Sequence, residues 1–444
     1  MATALRRLSL ESAILVALPA TIVAVACGSS WSTGLRDVAH PARAILLVAL
    51  CALAVVHAAG RRAALRPVTA PLLAAGALVA VAAVSSAWSV APRHTVARAA
   101  GFFLVLLAAA ALAAGVADDR RAARRLLASV LVGAVAVALV GLLVYAVWPN
   151  DAVQAATGQV GARFRGVGEN PNTAAMLFAV TLPLAVLLGL EARSARGRLA
   201  AAAAFALLAG SLAMSGSRGA LFGAVAGVLV FGLAAVVRPA GRLAAVAGAA
   251  VLGLAAVGLG SLPEPLSATE AAKLKSPSAN TERRTPNDAE YSFRLEDELG
   301  YRSGYRPPAS HSLIGGSGRR EAWRGALRQG DARPVAGYGF GTEETVFVDR
   351  YADFQGGVPE NSYLGAYLQL GAVGVLALLA LLAGLAFSGV RLLARDRRLA
   401  AASLGELGAG AVLALVQSYL YVAGNTATLA LWACAFLPTV RAFE

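Results

Sequence analysis

Residues 317–371 read SGRREAWRGALRQGDARPVAGYGFGTEETVFVDRYADFQGGVPENSYLGAYLQLG. This polar passage runs directly into an apolar stretch, and most of the remaining chain is apolar. It combines closely spaced arginines, a glycine-rich turn at 337–341, and Glu360 and Asn361 where the apolar stretch begins. Polar groups at a membrane edge are costly and usually functional. We therefore expect any chemistry of this chain where the passage meets a bilayer.

The composition indicates a membrane protein. Hydrophobic residues make up 58% of the 444 residues and charged residues only 14%, whereas soluble domains carry about 25% charged residues. The net charge of +14 would also fit a nucleic-acid-binding protein. However, the arginines stand in short clusters between apolar stretches, the pattern of cytoplasmic loops in polytopic membrane proteins. We therefore expect a lipid bilayer and no nucleic acid as partner.

The lengths of the apolar stretches predict an all-α, polytopic transmembrane helical bundle with about 12 spans of roughly 20 residues each. The short basic loops then share one side, so both termini are predicted to be cytoplasmic and the long loop extracytoplasmic. The predicted spans are 10–28, 41–59, 68–88, 96–116, 126–148, 171–190, 198–215, 217–237, 243–261, 361–389, 400–422 and 425–441.

The long loop separates two groups of spans. The predicted organisation is 1–261 with the earlier spans, 262–360 as the extracytoplasmic loop that carries part of the active site, and 361–444 with the last spans. Within the loop, residues 268–312 are rich in Ser, Pro, Glu and Arg, which predicts a flexible insertion. Residues 319–329 are predicted to form a short amphipathic helix.

Two polar clusters adjoin predicted spans on the outer side. RFRGVGENPN at 163–172 leads into a span, where Asn170 before Pro171 is predicted to cap the helix. The arginines of this stretch are either functional or incidental residues of a loop that enters the helix. SGSRGA at 215–220 places Arg218 between two apolar spans. Arg218 either extends toward lipid headgroups or binds an anion through its guanidinium fork. In the second case Ser217 and the following helix N-terminus add donors.

A third cluster lies in the quoted passage. Arg319 precedes Trp323 by one helical turn, so both side chains are predicted to share a helical face. Glu360 stands at the start of a span, where a carboxylate interacts favourably with the helix dipole. Glu360 is therefore a catalytic candidate or only a helix-start anion. The glycine turn follows no predicted strand and is no dinucleotide fingerprint.

Five motifs follow one another between about residues 85 and 375. They are SVAP at 89–92 with Arg98; RFRG at 163–166 with NPN at 170–172; SGSRG at 215–219; SGR at 317–319 with Trp323, Pro334 and GYG at 337–339; and ENSYL at 360–364 with LG at 370–371. In these motifs and their order the chain resembles the O-antigen ligase and O-antigen polymerase superfamily of bacterial membrane glycosyltransferases.

The resemblance implies a GT-C-like helical enzyme of the cytoplasmic (inner) membrane with an extracytoplasmic active site. Such an enzyme moves a glycan from an undecaprenyl-diphosphate carrier to a hydroxyl of a glycan, lipid or protein acceptor, without a metal or cofactor. Direct attack opposite the diphosphate is expected to invert the anomeric carbon. By position, Arg218 and Arg319 would hold the diphosphate, and Glu360 would be the catalytic base where ligases usually carry His. The implied substrate-binding residues are Arg163, Arg165, Asn170, Asn172, Ser217, Trp323, Asn361 and Tyr363.

Glu in place of His at position 360 argues against a lipopolysaccharide ligase in particular. Two alternatives stay open: a surface-polysaccharide polymerase of the same superfamily, and a transporter of small anions or lipid-linked sugars. A transporter is expected to place its charged residues near the middle of the bilayer. The candidate residues of this chain cluster at one predicted interface instead, which favours the enzyme.

Overall fold

The computed structural model describes residues 2–61, 69–154, 162–236, 319–347 and 357–441. Nine helices within these ranges are long and apolar enough to cross a membrane. The chain is thus an all-α polytopic membrane protein, as predicted. The helices are α1 (Ala2–Gly28), α2 (Thr33–Gly60), α3 (Ala70–Val84), α4 (Pro92–Gly115), α5 (Arg120–Val147), α6 (Pro149–Ala152), α7 (Pro171–Glu191), α8 (Ala195–Met214), α9 (Arg218–Ala235), α10 (Arg319–Gly330), α11 (Glu343–Val346), α12 (Ser362–Leu392), α13 (Arg397–Leu413), α14 (Thr426–Ala435) and α15 (Leu437–Arg441).

The spanning candidates are α1–α5, α7–α9 and α12, with α3 extended by a 3-10 turn to Ala87. The short helix predicted at 319–329 is confirmed as α10, which buries Ala322 and Ala326 against Phe347 and Leu368. The predicted span at 243–261 and the predicted flexible stretch at 268–312 lie outside the described residues.

The predicted span at 400–422 is wrong in its second half. Helix α13 ends at Leu413, and residues 414–425 form turns and irregular backbone, called here the re-entrant loop. The main-chain N–H of Ser362 donates to the carbonyls of Ala414 and Gln417 at 2.8 and 3.1 Å. The loop therefore supports the start of α12. Irregular backbone among apolar helices is tolerated where protein covers it and satisfies its polar groups.

Ion pairs join one end of the bundle. Arg120 pairs with Asp396 at 2.6 Å, Arg124 with Glu191 at 2.6 Å, and Arg125 with Glu11 at 2.9 Å. These contacts connect the ends of α1, α5, α7 and α13. Arginines predicted to share one side of the membrane therefore lie at the same end of the bundle. That this end faces the cytoplasm remains a prediction.

Helix α12 is interrupted at Gly371, whose φ of 61° and ψ of −158° are not helical. The break leaves main-chain N–H and C=O groups of α12 without helical partners. Residues 333–341, called here the glycine turn, form hydrogen bonds with them. Ala372 N–H donates to the Pro334 carbonyl at 2.8 Å, and Gly339 N–H donates to the Gln369 carbonyl at 2.8 Å. The turn predicted at 337–341 is confirmed, and it docks into the break of the helix.

The glycine turn also contacts the connection between α3 and α4. Phe340 N–H donates to Ser85 Oγ at 2.9 Å, and Val90 N–H donates to the Tyr338 carbonyl at 3.1 Å. The Phe340 ring stacks on Phe102 with centroids 5.7 Å apart. Two separate parts of the bundle therefore fix the position of the turn.

The Gly337→Ala substitution is expected to undock the turn. Gly337 has a φ of 63°, and a Cβ there would collide with the main chain of Gln369. Strained backbone alone costs about 1–3 kcal/mol, so we expect a lower melting temperature in detergent. Gly76→Ala is the control, because a Cβ at Gly76 meets nothing within 4 Å. It is expected to leave stability unchanged or raise it by up to about 1 kcal/mol. Equal melting temperatures for both variants would contradict the docking.

Candidate active site

Four segments of the chain bring four charged side chains together. Arg163 lies in the short strand β2 (Arg163–Phe164), which pairs antiparallel with β1 (Val153–Gln154). Arg218 begins α9, Arg319 begins α10, and Glu360 stands two residues before α12. Arg319 donates to one carboxylate oxygen of Glu360 through Nε at 2.7 Å and also through Nη2. Because Arg218, Arg319 and Glu360 all act electrostatically on Arg163, we call these four residues the arginine cluster.

Arg163 occupies the inner part of the cluster. Its Nε donates to the Ser215 carbonyl at 2.8 Å, and its Nη2 donates to Asn172 Oδ1 at 3.0 Å. The pKa of Arg163 is lowered to about 10, chiefly by burial; Arg319 and Arg218 contribute to the lowering, and Glu360 partly opposes it. Like charges are thus held close together in a partly desolvated place. Such an arrangement would be stabilised by a bound anion.

Arg218 presents an open guanidinium. The side chain is exposed and makes no hydrogen bond or ion pair with the part of the chain that the structure describes. The preceding Ser217 is buried, and its side chain does not cap α9. The first N–H groups of α9 therefore have no side-chain cap at the end where anions bind favourably.

Glu360 has an unusual backbone. Its φ is 49°, the only positive φ outside glycine among the described residues. Both neighbours are held: Trp323 Nε1 donates to the Pro359 carbonyl at 2.9 Å, and Asn361 Nδ2 donates to the Leu415 carbonyl at 3.0 Å. Backbone strain persists where surrounding contacts enforce it, and it is often found at functional sites. The structure therefore fixes the Glu360 carboxylate toward Arg319.

Residues 203–379 match the family described as O-antigen ligase. This match to the O-antigen ligase domain covers 177 of the 444 residues. The superfamily predicted from the motifs is thereby confirmed, and the domain implies a glycosyltransferase-type activity of the ligase or polymerase kind. The matched residues include Arg218, Arg319 and Glu360, whereas Arg163 precedes them. No curated protein matches the chain.

Other predicted site residues form hydrogen bonds within the protein itself. The buried Arg165 donates to the carbonyls of Asp151 and Asn150 at 2.8 and 2.9 Å and lies over the Trp31 ring. The exposed Asn170 caps α7, as predicted, by accepting from Asn172 N–H at 2.9 Å. These contacts shape the loop that presents Arg163.

Asn361 and Tyr363 hold the start of α12. Asn361 is buried and caps the helix by accepting from the N–H groups of Tyr363 and Leu364 at 3.0 and 3.1 Å. The Tyr363 hydroxyl donates to the Ala411 carbonyl at 3.1 Å. Both side chains thus have intramolecular partners, and their predicted contact with substrate remains a prediction.

Sequence reasoning missed Glu343, a buried carboxylate in the O-antigen ligase domain. It accepts hydrogen bonds from Ser418 at 2.5 Å and from Tyr421 and Gln369 at 2.9 Å. Burial raises the pKa of Glu343 to about 7, although the bonds from Ser418 and Tyr421 oppose this shift. The signal in the sequence is an acidic pair directly after the glycine turn. That signal does not reveal which of Glu343 and Glu344 is buried.

Proposed function

We propose that this protein transfers a glycan from an undecaprenyl-diphosphate carrier to an acceptor hydroxyl on the outer face of the cytoplasmic membrane. The supporting observation is the convergence of Arg218, Arg319 and Glu360 on Arg163, in a protein whose residues 203–379 match the O-antigen ligase family. Guanidinium groups match phosphate oxygens in geometry and charge. Three of them beside one carboxylate leave a net positive site, which suits a diphosphate leaving group.

The reaction would be a direct displacement. The acceptor oxygen attacks the anomeric carbon of the donor, the bond from that carbon to the diphosphate oxygen breaks, and its electron pair stays on the diphosphate. Glu360 takes the hydroxyl proton as general base, and the arginines stabilise the charge that develops on the leaving group. Attack opposite the leaving group inverts the anomeric carbon.

Arg319 would take part in both halves of this mechanism. Its guanidinium holds Glu360 through two donors on the same oxygen. A diphosphate that competes for this guanidinium would weaken the pair and free the carboxylate to accept a proton. We therefore propose that donor binding itself prepares the base.

A transfer assay tests this function. The purified protein in lipid nanodiscs receives an undecaprenyl-diphosphate-linked glycan and a hydroxyl acceptor, with and without a chelator. We expect a product heavier by one donor glycan, equimolar release of undecaprenyl diphosphate, and no effect of the chelator. A polymerase would instead use a second lipid-linked glycan as acceptor. A donor that crosses vesicle membranes chemically unchanged would support the transporter alternative and contradict the proposal.

The proposed orientation predicts a labelling pattern. The native cysteines at 27, 51 and 434 are buried, so introduced cysteines will dominate the signal. Gly300→Cys, outside the described residues, is expected to react with a membrane-impermeant maleimide in intact cells. Arg395→Cys is the control for the opposite face and is expected to react only after permeabilisation. The reverse pattern would contradict both the orientation and the extracytoplasmic placement of 262–360.

A further inference from the structure

A buried network links Glu343 to the main chain beside Glu360. Ser418 Oγ donates to Glu343 Oε1 at 2.5 Å, and the same Oγ accepts the Asn361 N–H at 3.1 Å. Ser418 lies in the re-entrant loop, and Asn361 directly follows Glu360. One hydroxyl therefore connects the Glu343 carboxylate to the residue next to the proposed base.

The Glu343 carboxylate is buried and closely surrounded by neighbouring groups. Its residue is only 5% exposed. A Cβ at Gly365 would lie 2.5 Å from Glu343 Oε1 and would also collide with the Tyr421 hydroxyl. Glycine at 365 therefore leaves the space in which these two groups meet. Gly341 N–H donates to Gln369 Oε1 at 2.6 Å, which orients the Gln369 amide so that its Nε2 faces Glu343.

The donors around Glu343 fit its ionised form. Ser418, Tyr421 and Gln369 all donate to it, and an ionised carboxylate only accepts. A protonated carboxyl group carries its own O–H donor, so one of the three contacts would have to be rearranged. The network is therefore complete only when Glu343 is charged.

The surroundings bring protonation of Glu343 close to neutral pH. The pKa of Glu343 is raised to about 7, chiefly by burial and in smaller part by the nearby Glu344 carboxylate. The other groups that face it are Tyr421 and Ser418 from the re-entrant loop and Gln369 from α12, none of them cationic. Glu343 thus changes charge within the range in which the enzyme would work.

We propose that Glu343 is a positioning residue: its ionised carboxylate holds Ser418, and through Ser418 the main chain of Asn361, so that Glu360 keeps its orientation toward Arg319. This inference rests on the function proposed above. Protonation of Glu343 loosens the anchor without adding or removing any group of the arginine cluster. The transfer rate therefore rises with pH through about 7, with little change in the KM for the donor.

The pH dependence of stability runs in the opposite direction. The pKa of Glu343 is about 7 in the folded protein, above the ordinary glutamate value of 4.5. The folded state therefore binds more protons between these pH values, and its stability falls as pH rises through this window. The ionised form is thus the less stable one, although it is the form that positions Glu360.

The test compares Glu343→Gln with Glu344→Gln, the exposed carboxylate next to it. We measure transfer rates from pH 5.5 to 8.5 and the hydrogen-exchange protection of the peptide containing Asn361, corrected for intrinsic rates. Wild type and Glu344→Gln are expected to show a rate that rises through about pH 7 and stronger protection above it. Glu343→Gln is expected to show a low, flat rate profile, an unchanged donor KM, and roughly 10-fold lower protection at high pH, equivalent to one lost hydrogen bond.

A second variant controls for the possibility that Glu343→Gln misfolds. Ser418→Ala removes the bridge while Glu343 stays intact, and it is expected to lower the protection of Asn361 in the same way. A wild-type pH profile and wild-type protection in Glu343→Gln would overturn the inference. If the wild-type protein transfers no glycan, the proposed function fails, and the exchange data alone still decide whether Glu343 controls the main chain at Asn361.

Discussion

The Glu360→Gln variant is expected to lose at least about 100-fold in transfer rate, because a general base typically contributes 10²–10⁴. Glutamine keeps the size of the side chain and accepts a hydrogen bond from Arg319, but it cannot take up the acceptor proton. Donor binding should persist, since Arg163 and Arg218 are unchanged and one negative charge has left the site. The measurements are the turnover rate in the nanodisc assay and the equilibrium binding of the lipid-linked donor.

Two further variants separate base catalysis from charge pairing. Glu360→His should retain part of the activity, because imidazole can accept a proton and the resemblance to O-antigen ligases implies a His at this position. Glu169→Gln changes an exposed carboxylate on the loop before α7 and should be neutral. Normal turnover by Glu360→Gln would reduce Glu360 to the partner of Arg319. A large loss of turnover in Glu169→Gln would then identify Glu169 as the base.

Replacing Arg218 or Arg319 with lysine should lower transfer by about 10- to 150-fold each, equivalent to roughly 1.5–3 kcal/mol for a charge-assisted hydrogen bond. An ammonium keeps the charge but lacks the planar fork that binds two oxygens. In Arg319→Lys the paired contact to Glu360 is lost as well. The measurement is kcat/KM for the donor at equal amounts of folded protein.

Arg320→Ala provides the matched control for the arginines. Arg320 is the exposed neighbour of Arg319 on the same helix, and it has no part in the arginine cluster. Its loss should change kcat/KM by less than about twofold, as for most exposed charges. Wild-type transfer by both lysine variants would indicate that Arg218 and Arg319 act only as charged anchors at the membrane surface.

Local sequence signals predicted the features that depend on a few adjacent residues. Asn170 before Pro171 marked the start of α7, and the small polar residues at 215–217 marked the corner before Arg218. Helix caps and corners are determined by nearby side chains, and span lengths by bilayer thickness. Both therefore follow from the sequence without knowledge of distant contacts.

Features created by distant contacts were not predictable. Helix α13 ends at Leu413 because the loop that follows is bound by Ser362 and Asn361, more than 50 positions earlier in the chain. Arg163 and Arg165 differ in role because only Arg163 meets the corner before α9, whereas Arg165 binds the carbonyls near Asp151. The pairing of Arg319 with Glu360 likewise depends on the position of α10.

The break at Gly371 divides α12 into two segments that can move separately. Residues 362–370 share hydrogen bonds with the glycine turn and the re-entrant loop. Further along the helix, Gly384 lies beside Pro71 of α3 and Gly389 beside Leu404 of α13. Proteins open locally in cooperative units set by such shared contacts. Residues 362–370 of α12, the glycine turn and the segment around Glu360 should therefore open and close as one unit. A bulky glycan could then enter and leave while the lipid-embedded helices stay in place.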